Sequence, residues 1–411
     1  MAGFLLLLHT IFDVGMLEVF RRWGRNKCHF PIVWFLKPLS VEWMYLLYVI
    51  LVLAAIGIMI GCLYRCCLII FNVIFWYIFS LDTTASTCHY YLFGLVTFLL
   101  LITDGNRYCS IDCLLWPEIR NQEIPLWNYA ILRFQIFVMY FVAGIQKLNP
   151  EWWYGWGCIR LAEHWVFDIF RLFLTNDQIN LYVVHRLGCI IELLIGFLLF
   201  FDKSRKSALF LIYLFHGMLV GLDSEIGGVY SIRWAMMIWW IDSTDHIFIT
   251  DKGQYNPISR QIGYKRASWL YLSNPVHLKQ FNDCIAKEVS LDERFGITHI
   301  AWLTINSRFP QRWYHPEDIT KVKWSLFSNP TFSLPIMEDY WEMRELKKER
   351  KKYNSEFTDL LFMSDFPGYS FNLEISNKAD NTTIEVLKGR VIATDLSTGQ
   401  NMTVEAGQTR V

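Results

Sequence analysis

Up to about residue 241 the chain alternates long uncharged apolar runs with short polar or aromatic breaks. Trp43–Leu63 carries no charge, and a helix crossing ~30 Å of hydrocarbon needs about 20 mostly apolar residues. Leu68–Leu81, Tyr90–Thr103, Ala130–Ile145, Leu187–Phe201 and Ala208–Leu222 repeat the pattern. Some of these are short, so flanking aromatic residues must complete them. The pattern predicts a polytopic α-helical membrane part with about six or seven crossings. Met1–His9 begins apolar, with no basic residue ahead of it and no small-residue cleavage site, and predicts a helix that stays attached, or the remnant of a longer N-terminus, rather than a removable signal peptide.

Past residue 245 the period changes to two. His246–Thr250, Thr298–Thr304, Leu360–Met363 and Thr383–Leu387 alternate as strands do, between turn-forming residues. Glu338–Lys352 is a charged segment that predicts a helix solvated on most of its surface. The expected organisation is a multi-helix membrane domain over residues 1–241 and a mostly-β domain over 242–411.

Composition sharpens this reading. Of 411 residues 54% are hydrophobic and 18 are Trp, which excludes a disordered chain. Lys+Arg and Asp+Glu both number 38, so no basic excess points to nucleic acid. The ten cysteines show no paired metal-ligand spacing, so no metal is expected.

Within the membrane part the informative residues are ionisable, because a charge at bilayer depth costs several kcal/mol, from about 2.5 upward. Lys147 follows the apolar run Phe137–Ile145 and precedes the aromatic segment Leu148–Trp156. An amine held there loses hydration, which favours its neutral, basic form. The competing reading is an interfacial lysine that snorkels to water. His89, at the start of a crossing, could orient a polar headgroup or a neighbouring base, and a structural interfacial histidine is equally compatible. His164, His185 and His216 read as packing or capping residues, and Asp104 and Asp112 as solvated loop residues. Two glycosylation sequons, at Asn381 and Asn401, lie in the polar C-terminal part and matter only in a secretory lumen.

Several segments occur together in one order: Glu42-Trp-Met-Tyr-Leu, Cys88-His-Tyr-Tyr-Leu-Phe-Gly94, Pro125-Leu-Trp-Asn-Tyr-Ala130, Phe141-Val-Ala-Gly-Ile-Gln-Lys-Leu148, Gly196-Phe-Leu-Leu-Phe-Phe-Asp202, Arg308-Phe-Pro-Gln-Arg312 and Asp365-Phe-Pro-Gly368. In that order they resemble the vitamin K-dependent gamma-glutamyl carboxylase family. The resemblance implies a membrane domain of the horizontally-transferred transmembrane type, followed by a lumenal β-rich domain, in a multi-pass protein of the endoplasmic reticulum membrane. It also implies an activity: glutamates of propeptide-bearing secreted precursors become γ-carboxyglutamate at the expense of vitamin K hydroquinone, O₂ and CO₂. Vitamin K epoxide reductase would be the functional partner.

In the family mechanism a lysine amine deprotonates the hydroquinone, and oxygenation then yields an alkoxide basic enough to take a glutamate γ-proton. The carbanion left behind attacks CO₂. Lys147 matches that lysine and His89 the histidine that assists it. Arg308, Arg312 and Arg344 match basic positions of the lumenal domain. Substrate contact is expected for Arg344, while Arg308 and Arg312 could equally hold that domain together. Cys28 and Cys284 match a family disulfide.

The chain also departs from the family. A long stretch with further helices is missing between His216-Gly-Met218 and Gly228–Met237, and the lumenal domain is shortened at its C-terminal end. Cys88, Glu163, Leu219, Ala235, Trp239 and Ile241 replace polar or charged family residues. These departures keep a second reading open, a catalytically silent relative that binds propeptide or a partner enzyme. A transporter, suggested only by the many crossings, lacks broken helices with paired ion-binding residues.

Overall fold

The computed structural model describes residues 2–24, 28–32, 35–82, 88–119, 122–157, 159–226, 241–251, 254–257, 274–288, 296–306, 308–323, 330–337, 341–351, 361–370, 383–395 and 398–410. The chain divides into two compact units, Met1–Ser364 and Asp365–Val411.

The first unit begins with α1 (Ala2–His9), a π-helical stretch Thr10–Val14 and α2 (Met16–Trp23). There follow α3 (Val41–Ile60), α4 (Tyr64–Leu81), α5 (Cys88–Ile102), α6 (Ile111–Leu115), α7 (Leu126–Gln146), α8 (Pro150–Trp153), α9 (Asp168–Arg171) and α10 (Asn176–Gln178). A second π-helical stretch, Ile179–Leu187, runs without a break into α11 (Gly188–Phe200), and α12 spans Arg205–Ile226.

Among the described residues four helices are long and apolar enough to cross a membrane: Val41–Ile60, Tyr64–Leu81, Leu126–Gln146 and Asn176–Phe200. Ala2–Phe12 and Tyr90–Ile102 are shorter apolar helices. The membrane domain is therefore helical and multi-pass. The segment expected at Leu187–Phe201 is only the second half of its helix, which extends back through the π-helical Ile179–Leu187 and α10 to Asn176.

The turn between α3 and α4 shows how tightly the helices are tied. Gly61 ends α3 in the left-handed region, φ +64°, and donates its N–H to the Gly57 carbonyl. A Cβ there would lie 2.4 Å from Ser110 Cβ, so glycine is required both by conformation and by space. Asp112, expected to be solvated, is buried instead. Its carboxylate accepts from Leu63 N at 2.7 Å, Tyr64 N at 3.0 Å and Asn106 Nδ2 at 2.8 Å. The reason is the set of orphan N–H groups at the start of α4, which need an acceptor once the loop covers them. Asp104 likewise pairs with Arg65 and Arg107. Farther along, Thr97 of α5 donates to Asn72 of α4 at 3.0 Å, a polar link between the two helices.

Beyond the helices, β1 (Ile241–Asp251), β2 (Gln254–Pro257), β3 (Gly296–Ile305) and β4 (Gln311–Arg312) form one antiparallel sheet in the order β2-β1-β3-β4. β1 and β3 contain the two alternating segments expected at His246–Thr250 and Thr298–Thr304. Helix α13 (Pro275–Glu288) buries Leu278, Phe281 and Ile285 in a core with Ile297, Ala301 and Leu303 of β3 and with Tyr314 and Phe332. Phe30, from the loop before α3, joins the same core. Beside it Cys28 is disulfide-bonded to Cys284 of α13, with Cα atoms 5.5 Å apart. That bridge closes a separation of 256 residues and ties the N-terminal loop to the sheet layer.

Of the strand expected at Leu360–Met363, the described residues Leu361–Met363 form none; beside them Ser364 makes an isolated bridge to Gln311. Helix α14 (Trp341–Lys351) is charged as expected, yet Arg344 points inward and is 1% exposed.

In the second unit β5 (Ile384–Glu385) pairs with β8 (Thr409–Arg410), and β6 (Arg390–Thr394) with β7 (Asn401–Glu405). The strand expected over Thr383–Leu387 is thus confined to two residues. Val386 and Val404 are its buried apolar side chains.

Candidate functional site

Lys147 is the C-cap of α7; its N–H donates to the Ala143 and Gly144 carbonyls. The chain then turns at once into α8, because Asn149 caps that short helix by accepting from Trp152 N at 2.9 Å and Pro150 occupies its first turn. The turn brings the Trp152 ring beneath the Lys147 side chain, with Nζ 5.1 Å from the ring centroid.

Lys147 is 5% exposed, and Nζ forms an ion pair with Glu192 Oε1 of α11. The sequence-based expectation was an amine made neutral by drying; the structure dries it and supplies a buried carboxylate as well. A proton resting between the two atoms leaves the pair at zero net charge, whichever atom holds it. Glu192 Oε2, also buried, accepts no hydrogen bond among the described residues.

The other wall of the site is His185, fully buried in the π-helical stretch two turns before Glu192. Its ring lies 4.5 Å from that of Trp152, whose Nε1 donates to the His185 carbonyl at 2.9 Å. The His185 Nδ1 is 2.6 Å from the Asn180 carbonyl. π-Helical turns often occur where a side chain must be re-aimed at a functional site.

The helices carrying Lys147 and Glu192 approach closely at glycines. A Cβ on Gly144 would lie 2.6 Å from Leu193 Cγ and 3.0 Å from its backbone N; one on Gly196 would lie 3.3 Å from the Phe137 carbonyl. Gly144→Val is expected to destabilise the fold by about 1–3 kcal/mol, because backbone cannot yield as a side-chain tip can. The check is a lower thermal midpoint in detergent; an unchanged midpoint would show that the helices separate freely here.

A second cluster lies four residues beyond Lys147. Glu151 Oε1 accepts from Arg308 Nη2 at 2.6 Å, and Oε2 accepts from Arg344 Nη2 at 2.6 Å and from Asn306 Nδ2 at 3.2 Å. The Arg344 guanidinium also sits 4.8 Å over the Trp156 ring. Burial pushes the Glu151 carboxyl up, but the Arg308 hydrogen bond and the Arg344 and Arg308 charges outweigh it and hold it below the usual carboxylate range. The turn that carries Lys147 is thereby fastened to residues that follow β3 and to α14.

Arg308 and Arg344 thus meet on Glu151, whereas Arg312 stands apart, buried on β4 with its guanidinium 5.1 Å over the Trp302 ring. His89 opens α5, but its side chain, like that of Cys88, lies outside the described residues. His164 caps a short helical turn by accepting from Val166 N at 3.3 Å, in keeping with the capping role expected of it. Asn401 is exposed at the start of β7; Asn381 lies outside the described residues. Among the described residues no group of three or more His, Cys, Asp or Glu is placed to hold a metal ion.

Sequence reasoning passed over Glu192, Glu151 and the Trp152–His185 pair. Glu192 had a signal, since it is a charge inside the apolar run Leu187–Phe201, and the rule that singled out Lys147 applies to it equally. Glu151 had none, because its partners lie 155 or more residues away.

Residues 1–240 match the family model of the HTTM domain. No solved structure matches the chain.

Proposed function

This chain belongs to the HTTM domain family, which is characteristic of vitamin K-dependent gamma-glutamyl carboxylases, and we propose on that footing that it carboxylates glutamates of secreted precursors. The observation that carries the reading is the buried Lys147–Glu192 pair beside Trp152 and His185. Fat-soluble hydroquinone would reach such a site from the lipid, and peptide from the lumen.

The residues present fit a phenol. Trp152 and His185 line the Lys147–Glu192 pair with aromatic surface, and Glu192 Oε2 accepts no hydrogen bond among the described residues. When Glu192 holds the pair's proton, Lys147 Nζ is a free amine with a lone pair. It would then accept the hydroquinone O–H proton, and a carboxyl oxygen of the neutral Glu192 would accept a hydrogen bond from the ammonium that results. With O₂ the hydroquinone supplies a base strong enough to remove a glutamate γ-proton, after which CO₂ adds to that carbon. The Glu151 turn holds Lys147 in place during the transfer and excludes water from beneath it.

The proposed setting is the endoplasmic reticulum membrane, with the Cys28–Cys284 disulfide and the Asn401 sequon on the lumenal side. An oxidising lumen permits the first, and the secretory lumen is the compartment in which the second would be glycosylated. Propeptide-bearing precursors would be the substrates, and vitamin K epoxide reductase would return the oxidised vitamin.

A silent, propeptide-binding relative is the second reading. It is favoured by Arg308 and Arg344, which direct their charge to Glu151 and so are less disposed toward a substrate carboxylate. Microsomes containing the folded chain, reduced vitamin K and a glutamate peptide should fix ¹⁴CO₂. Absence of fixation by folded chain would sink the carboxylase reading and leave the silent one.

A further inference from the structure

Most described arginines on and beside the spanning helices have a carboxylate to meet them. Arg65 and Arg107 pair with Asp104, Arg133 and Arg205 with Asp202, and Arg171 with Asp168. Arg186, inside the span Asn176–Phe200, has no carboxylate partner among the described residues, and its buried Nε donates no hydrogen bond there. What holds this side chain is aromatic. The guanidinium carbon lies 5.4 Å from the centroid of the Trp153 ring of α8. It lies 5.3 Å from that of Tyr182, four residues earlier in the π-helical stretch. Contacts with ring faces leave the guanidinium N–H donors unspent.

The cation stands at a membrane border. From Arg186 to Phe200 the helix rises about 21 Å at 1.5 Å per residue, and the exposed Asp202, Lys203 and Arg205 follow. A hydrocarbon core of ~30 Å that starts at those charges ends a short way beyond Arg186, within the reach of an extended arginine side chain. Trp and Tyr are the residues that populate such a border. Toward Phe200 the exposed Ile190, Leu194 and Phe197 fall at i+4, i+8 and i+11 from Arg186, on one face of the helix. The other side carries His185, Cys189, Glu192 and Ile195, all buried. A cation without a counter-charge thus heads a strip that looks at lipid, and a charge at this depth is costly unless something pairs with it.

We infer that Arg186 binds the phosphate of an anionic glycerophospholipid whose acyl chain lies along Ile190, Leu194 and Phe197. The planar guanidinium presents paired N–H donors that match two phosphate oxygens, and the phosphate supplies the missing negative charge where hydration is poor. Trp153 and Tyr182 hold the side chain before the lipid arrives, so little rotamer freedom is lost on binding. Phosphatidylcholine carries its own ammonium, which competes with Arg186 for the phosphate; phosphatidylglycerol has none. The assignment does not depend on which side of the membrane this end of the helix faces, nor on the chemistry proposed for Lys147.

The test is lipid retention by the purified full chain, exchanged through detergent containing phosphatidylglycerol or phosphatidylcholine and read by native mass spectrometry. Phosphatidylglycerol is expected to stay on the wild-type chain, and phosphatidylcholine to be retained less. Arg186→Gln should lower phosphatidylglycerol retention on the order of tenfold, the loss of one charge-assisted contact. Arg133→Gln, which removes a cation already paired with Asp202, should leave it unchanged. Tyr182→Leu keeps the charge and removes one ring; retention should fall there too, which tests the site even where Arg186→Gln does not fold. Retention equal to the wild type in either folded variant, or equal retention of the two lipids, overturns the assignment. Inorganic phosphate alone separates a lipid from a free anion. Phosphatidylglycerol should raise the thermal midpoint of the wild-type chain and inorganic phosphate should not, whereas an equal rise with inorganic phosphate overturns the lipid as ligand.

Discussion

Glu151→Ala is expected to destabilise the folded chain by about 3–5 kcal/mol, the range found when one partner of a buried ion pair is removed. The cost comes less from the lost attraction than from what remains: Arg344, 1% exposed, keeps its charge with the carboxylate gone. Arg308 and Asn306 lose an acceptor in the same step. Glu151→Gln should cost less, because the amide oxygen can still accept one of these bonds. A Glu151→Leu/Arg344→Leu double variant should recover part of the loss, since the most deeply buried charge leaves with its partner and, of the two arginines, only Arg308 still loses an acceptor. Thermal midpoints of the purified chain in detergent read all three. A midpoint for Glu151→Ala equal to that of the wild type would show that the cluster fastens nothing.

The same cluster carries a pH signature. The folded Glu151 carboxyl is held below its ordinary value of 4.5, so the folded state prefers it ionised. Its contribution is therefore fully present above that value and fades as the pH falls through the folded one. The gap in midpoint between wild type and Glu151→Gln should stay level from neutral pH down to about 4.5 and narrow below it. A gap that widened on acidification would reverse the sign and discard the arginine-stabilised carboxylate.

How far the fold was legible depended on whether the governing interaction is local. Helix α3 was plain, because Trp43–Leu63 is uncharged and Val41–Ile60 is what folds. The start of α4 was not: the apolar run begins at Leu68, yet the helix begins at Tyr64 and the Arg65 side chain leaves it for Asp104. The first half of Asn176–Phe200 was hidden by its polar residues and by π-helical winding, which spoils the 3.6-residue period. Strands β1 and β3 were readable from alternation, but Leu360–Met363 read the same way and its described residues Leu361–Met363 are not in a strand. Asp112 looks like any loop aspartate until the helix start it caps is placed on top of it.

The site follows the same division. Lys147 was conspicuous as a charge at the edge of an apolar run, and Glu192 carries that mark just as clearly. Pairing the two requires knowing that α7 and α11 touch, which depends on Gly144 and Gly196 admitting the opposite backbone. The Cys28–Cys284 bridge came from resemblance alone, since ten cysteines leave many pairings open. The inward face of α14 was invisible for a related reason. A charged helix reads as solvated unless the buried carboxylate that meets Arg344 is already in view.

Removing the amine should have the largest effect on chemistry. Lys147→Ala is expected to lower vitamin K-dependent CO₂ fixation on the order of 10²–10⁴-fold, the usual contribution of a positioned general base. Alone, however, that variant strands Glu192 in the membrane part, and a loss of folding could pass for a loss of catalysis. The decisive variant is therefore Lys147→Met/Glu192→Leu, in which two apolar side chains of similar size fill the space. Its thermal midpoint should lie near that of the wild type, because replacing a whole buried ion pair by well-packed hydrophobes is often neutral. Its CO₂ fixation should be as low as that of Lys147→Ala. Glu192→Gln separates the two partners: the amide still accepts the Lys147 hydrogen bond but cannot hold the proton that frees the amine. Fixation should fall, and part of it should return as the pH is raised, because solvent then takes the proton in place of the carboxylate. A folded double variant that fixed CO₂ at the wild-type rate would remove Lys147 from the role of base, however well buried its amine.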